Sequence, residues 1–186
     1  MYKICRTEQS TRRQRELEQV LLSMMLKHQY DDISVNDLCQ RMQIPRKSFY
    51  RYFASKEGAL FALIDHTIDD FFQRPADNAG GKSMGILDLE RFFLFWYENR
   101  GLLDALQRSK LSGILVDRVN NFAIQEGHLP KQFKDLRPEE QVPAMAFAVC
   151  GLMSMLLSWH SQGFRISPKE MADLSIEMMT KPLLSK

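Results

Sequence analysis

The amino-acid sequence predicts an all-α protein built as a small helical head followed by a larger helical domain. Apolar residues recur almost throughout at three- and four-residue spacing, and no run alternates apolar and polar residues as a strand would. One stretch, 73–85 (QRPADNAGGKSMG), gathers Pro75, Gly80, Gly81 and Gly85 among small polar residues and interrupts the pattern as a loop. The division is therefore a head at 1–55, a connecting fourth helix at 56–72, the loop at 73–85 and a second domain at 86–186.

The first helix carries Leu17, Val20, Leu21, Met24 and Met25 on one face. Ser34 is a good N-cap for the second, with Asp37 three residues on as a variant capping box, and Val35, Leu38, Cys39 and Met42 facing inward. Pro45 cannot continue that helix but suits the first turn of another, so Gln43-Ile44 is the turn of a helix-turn-helix with Ile44 plugging its corner. A third helix follows to about Phe53, then a fourth bearing Leu60, Leu63, Ile64, Ile68, Phe71 and Phe72. Beyond the loop the periodicity predicts helices over 86–99, 101–109, 111–126, 139–162 and 168–181, the last opened by Ser167-Pro168 with Glu170.

Composition narrows the function. With 45% hydrophobic and 26% charged residues and few Pro or Gly, the chain is neither fibrous nor low-complexity. Cys5, Cys39 and Cys150 are odd in number and far apart, so no disulfide framework or zinc knuckle is written here. That usage, with no apolar signal core in Met1–Gln9, predicts a reduced, cytoplasmic location. The net charge of +2 conceals an asymmetry: residues 1–60 carry 11 Lys/Arg against 7 Asp/Glu, whereas 61–186 carry 14 against 16. A basic N-terminal third points to a polyanion, most often nucleic acid.

The third helix sorts its chemistry by face. At 100° per residue Phe49, Tyr52 and Phe53 cluster on one side while Lys47 and Arg51 point away, flanked by Arg46, Ser48 and Tyr50. Arg and Lys can bond guanine edges or phosphates, and Ser and Tyr hydroxyls can reach either. An isolated Arg/Lys cluster is more often only a solvated face; the helix-turn-helix frame favours the major groove.

The segment from Thr11 to Phe72, and PRKSFYRYFASKEGALFALID in particular, resembles the DNA-binding domain of TetR/AcrR-type bacterial transcriptional regulators. Phe49, Tyr50, Arg51, Tyr52, Phe53, Lys56, Glu57 and Leu60 fill the family pattern in order. The resemblance implies DNA contacts from Arg46, Lys47, Ser48, Tyr50, Arg51 and Tyr52. It also implies a phosphate near Ser34 or Val35, and a phosphate clamp at Lys56. Lys47 and Arg51 are the expected base readers. It further implies a homodimer on a palindromic double-stranded operator and a small-molecule effector that acts through the fourth helix, usually as release from repression. Two positions depart from the pattern, Gln43 and Lys47, where the family commonly has Gly; a non-Gly residue at 43 is strained if the turn needs positive φ.

In the second domain ERFFLFWYENR is apolar on every side from Phe92 to Tyr97, so it must be buried on every side. Phe92, Phe95 and Trp96, with Phe122, Phe147, Met153, Trp159 and His160, are the expected effector-pocket residues, against the plainer alternative of a filled core. Val142–Trp159 is uncharged over 18 residues, but Pro143, Gly151, Ser154 and Ser158 dilute it and the chain's mean hydropathy is −0.30, which opposes a membrane span. Ala144, Ala148, Gly151, Met155 and Ser158 instead form a small-residue stripe suited to a subunit interface. His66 and Asp70, four apart, make at most two ligands of a weak metal pair, and His28 and His128 read as surface residues. No nucleophile elbow, phosphate loop or paired-carboxylate motif occurs, so no catalytic residue, cofactor or metal is expected. Two alternatives stay open: an activator or co-regulator working through a protein partner, and a helical carrier or enzyme with a vestigial head.

Overall fold

The computed structural model describes residues 1–73, 88–125 and 135–180. Among them run helices α1 (Glu8–Met25), α2 (Val35–Arg41), α3 (Arg46–Phe49), α4 (Lys56–Gln73), α5 (Leu89–Glu98), α6 (Arg100–Arg108), α7 (Ser112–Gln125), α8 (Pro138–Ser161) and α9 (Pro168–Thr180). The described residues contain no strand beyond one isolated antiparallel bridge between Tyr2 and Phe53. Residues 74–85 of the expected loop, and His128, lie outside the described residues.

The chain forms two compact units, Met1–Asp69 with Asp104–Ser112 and Asp70–Leu103 with Gly113–Lys186. Both α4 and α6 therefore run from one unit into the other, and the end of α6 belongs with the head, which a linear division of the sequence does not reveal.

In the first unit, α1 and α2 each begin where a side chain satisfies free N–H groups, whereas α3 begins at Pro45 with no side-chain cap. Thr7 and Ser10 cap α1 reciprocally, and Ser34 does the same for α2 with Asp37: the Asp37 N–H donates to Ser34 Oγ at 3.2 Å, and the Ser34 N–H to Asp37 Oδ2 at 2.8 Å. At the far end of α2, Gln43 takes φ +53° and the Ile44 N–H reaches back to the Cys39 carbonyl at 2.9 Å. That is a left-handed C-cap normally filled by Gly, so the turn does impose positive φ on a glutamine. Gly58 answers a different need: a Cβ there would sit 2.5 Å from the Met1 carbonyl oxygen, because the N-terminal segment crosses α4 at that point.

Leu17, Leu21, Met25, Leu38, Phe49, Phe53, Leu60, Leu63 and Ile64 form the core of this unit. Two buried polar residues of α1 were not signalled by periodicity. Gln14 donates to the Lys3 carbonyl at 2.9 Å, and Glu18, with no exposure at all, meets His66 Nδ1 at 2.9 Å. His66 is thus turned to a carboxylate of another helix, and among the described residues no three His, Cys, Asp or Glu gather to hold a metal.

The second unit is an aromatic core. Asp88 caps α5, and α5 buries Leu89, Phe92, Phe93, Phe95 and Trp96. Phe93 meets Trp159 of α8 edge-on with centroids 5.6 Å apart. Glu140 accepts from the Arg137 N–H at 3.0 Å to open α8, and Ser167 and Glu170 cap α9 reciprocally at 2.7 and 3.2 Å. Of the described helices, α8 is long and apolar enough to cross a membrane by length and composition, with mean hydropathy 1.8 over its best window. It has two faces, though: Met145, Val149, Leu152, Met153 and Leu156 are buried and the opposite side is open.

Candidate nucleic-acid interface

Regular α3 is a single turn, but its hydrogen bonds continue past it: the N–H groups of Tyr50, Tyr52 and Phe53 donate to the carbonyls of Arg46, Phe49 and Phe49. Burial of Phe49 and Phe53 fixes this short element against the core and turns the other side outward. Arg46, Lys47, Tyr50 and Arg51 are exposed there, with Ser48 and Tyr52 half-buried beside them. Arg46 Nη2 donates to Tyr50 Oη at 3.0 Å, so these two act as one unit, whereas Ser48, Arg51 and Tyr52 line a common cleft. Six donor-bearing side chains on a solvent-facing turn are the equipment a major groove requires.

Two expected phosphate contacts are otherwise occupied. The Ser34 hydroxyl donates to Asp37 Oδ2 at 2.7 Å while accepting from the Asp37 N–H, and the hydroxyl and the N–H of Ser34, both donating to the Asp37 carboxylate, hold it below its ordinary pKa. Lys56 does not extend into solvent. Its Nζ donates to the carbonyls of Tyr30 and Ile33 at 2.6 and 2.7 Å and lies 4.0 Å from the centre of the Tyr30 ring. The Tyr30 N–H in turn donates to Ser109 Oγ at 3.0 Å, and burial pushes the Tyr30 phenol up to about 12. Lys56 is a clasp on the segment that leads into α2, and no local pattern signals it because the partners are backbone carbonyls more than twenty residues away.

In the second unit the expected pocket residues divide. Phe92, Phe95, Trp96, Met153, Trp159 and His160 are buried. Phe71 meets Phe92 and Phe95 edge-on at 6.0 and 5.3 Å, and Phe72 stacks on Phe122 at 5.0 Å. Trp159 spends its N–H on the Ile166 carbonyl at 3.0 Å, and His160 packs against Phe164. Phe147 is a correction: it is 81% exposed and lines no interior site. Being two residues from both Met145 and Val149, it points about 200° away from each, and a helix apolar all round does not announce which side is buried. Two polar atoms missed by the sequence reading sit inside instead: Arg91 Nε and Asn120 Oδ1 are buried without a hydrogen-bond partner among the described residues. Arg91 was legible as the one cation in ERFFLFW, and its guanidinium also packs 4.6 Å from the centre of Phe71.

The stripe expected to pair subunits is open: Gly151 and Ser158 are exposed, and Ala144, Ala148 and Met155 are half-buried. Phe147 and Val142, the latter 52% exposed, extend this open side of α8. Met155 and Ser158 also border a groove of about 430 Å³ between the end of α8 and the start of α9.

No protein-family model matches the sequence, and no curated protein does. Solved structures do match. A putative TetR-family transcriptional regulator from Syntrophomonas wolfei is 17% identical, with a TM-score of 0.61 over 94% of this chain and 98% of that one. The dihydroxyacetone kinase operon activator DhaS is 16% identical, with a TM-score of 0.58 over 89% and 93%. A TetR-family regulator from Streptomyces coelicolor is 24% identical, with a TM-score of 0.54 over 86% and 76%. The chain therefore has the all-α fold of TetR-family transcriptional regulators, in agreement with the resemblance read from its third and fourth helices.

Proposed function

We propose that the protein is a sequence-specific DNA-binding transcriptional regulator that acts as a homodimer and answers to a small-molecule effector, most simply as a repressor. The observation that carries this reading is the α3 turn: buried Phe49 and Phe53 hold it rigidly while Arg46, Lys47, Tyr50 and Arg51 stand in solvent. Lys47 and Arg51, exposed and on one side, read base edges; Ser48, Tyr52 and the Arg46–Tyr50 pair steady the backbone. The bare apolar side of α8, with Phe147 at its centre, is the subunit interface, which favours a dimer over a membrane anchor. The effector sits among the α5, α7 and α8 aromatics, with Arg91 and Asn120 as its polar anchors. Its signal travels along α4 and α6, the helices shared by the two units. Function in the cytoplasm accords with this role.

A second reading, activation rather than repression, is favoured by the likeness to an operon activator. The two share the DNA step. Selection of bound duplexes from a random library tests that step: an inverted repeat with half-sites about one helical turn apart is expected. Enrichment of no sequence by a folded dimer would overturn it. Transcription from a promoter carrying the selected site then separates repressor from activator.

A further inference from the structure

Arg51 and Ser48 share a cleft of about 690 Å³ with the first half of α1, which contributes Arg12, Arg13 and Glu16. Three guanidiniums face one carboxylate, so the cleft is cationic. Arg12 Nε lies 3.2 Å from Glu16 Oε1 and Arg13 Nη1 lies 2.8 Å from Glu16 Oε2, which places the carboxylate between two guanidiniums as a bound phosphate would be. The bond from Arg13, with that from Arg12, holds the Glu16 carboxyl below its ordinary pKa, so it is an anion at neutral pH.

Ion pairs three and four residues apart on an exposed helix are commonplace and by themselves mean little. This one differs in its setting, since it opens onto the same concavity as Arg51, a proposed base reader. A duplex whose groove receives α3 must bring its flanking backbone past this cleft.

We propose that the α1–α3 cleft seats a backbone phosphate of the duplex, with Arg12 and Arg13 as ligands and Glu16 as a built-in competitor that the phosphate displaces. The assignment rests on the DNA-binding reading above and adds residues outside the helix-turn-helix. Glu16 lowers affinity for every duplex alike, because phosphates carry no sequence information. It thereby limits retention on random DNA without touching base discrimination.

The test is fluorescence anisotropy of the whole chain with a labelled scrambled duplex across a series of NaCl concentrations. Glu16→Gln is expected to tighten binding by about threefold per cleft, on the order of tenfold for a dimer, as for unit charges ~6 Å apart in water. Arg12→Ala/Arg13→Ala is expected to weaken it and to flatten the salt slope by about two for a dimer that loses one phosphate per subunit. Melting curves within a degree or two of the parent confirm that neither variant acts through folding. Unchanged affinity and slope in both variants would overturn the proposal, as would tightening by Glu16→Gln for the selected site but not for scrambled DNA. If the parent bound no duplex at all, the DNA-binding reading itself would fall. If Lys47→Ala/Arg51→Ala lost discrimination while the α1 variants bound normally, only the cleft assignment would.

Discussion

Lys56→Ala separates two accounts of the same residue. Its ammonium makes two charge-assisted hydrogen bonds, at 2.6 and 2.7 Å, and a cation–π contact at 4.0 Å. Hydrogen bonds to a charged group contribute about 1.5–3 kcal/mol each, and an exposed cation–π pair about 0.5–1 kcal/mol. Lys56 is half-buried, so water recovers part of this loss; truncation should cost about 2–3 kcal/mol. For a chain of this size that is roughly 4–12 °C in Tm, read by far-UV circular dichroism. The clasp holds Tyr30 and Ile33 just ahead of Ser34, so α2 loses its fixed start and DNA affinity falls with stability. A phosphate clamp would behave differently. Its loss would leave Tm unchanged and flatten the salt dependence of binding by about two in a dimer. That second pattern would refute the clasp.

Three further outcomes follow. Gln43→Gly relieves a left-handed glutamine at φ +53° and should stabilise the protein by about 0.5–1 kcal/mol after the extra chain entropy of Gly, seen as a small rise in Tm; a fall would mean that the Gln43 side chain matters more than its backbone. A Cβ added at Gly151 meets nothing within 4 Å in the isolated subunit, so with Gly151→Leu the fold should persist while light scattering shows monomer; a full dimer would move the interface off this side of α8. Acid should loosen the helix caps: Asp37 and Glu170 have folded pKa values below their ordinary ones, so their contribution is complete above the unfolded carboxylate pKa and disappears as pH falls through the folded values. Asp37→Asn/Glu170→Gln should therefore flatten the decline of Tm with falling pH, and an unchanged decline would count against the caps.

Local chemistry was legible in the sequence wherever cause and effect lie within a few residues. Ser34 with Asp37, Pro45 and Ser167 with Glu170 start helices where their spacing says, and the departure at Gln43 announced the positive φ found there. The α3 face was readable for the same reason, since Phe49 and Phe53 anchor it one turn apart. Contacts between distant segments were not. Glu18 with His66, Lys56 with Tyr30 and Ile33, and Tyr30 with Ser109 join positions 23 to 79 residues apart, and periodicity describes one helix at a time. Phe147 shows the complementary limit, because α8 is apolar all round and only packing chooses its inner side.

The central claim is that the outward side of α3 reads base sequence. The direct measurement is the ratio of affinities for the selected duplex and a scrambled one, for the parent and for Lys47→Ala/Arg51→Ala, at matched salt. The account predicts a parental ratio of about 10³ or more, and a fall of roughly tenfold or greater in the variant with scrambled-duplex binding reduced far less. A variant that kept the parental ratio would contradict it.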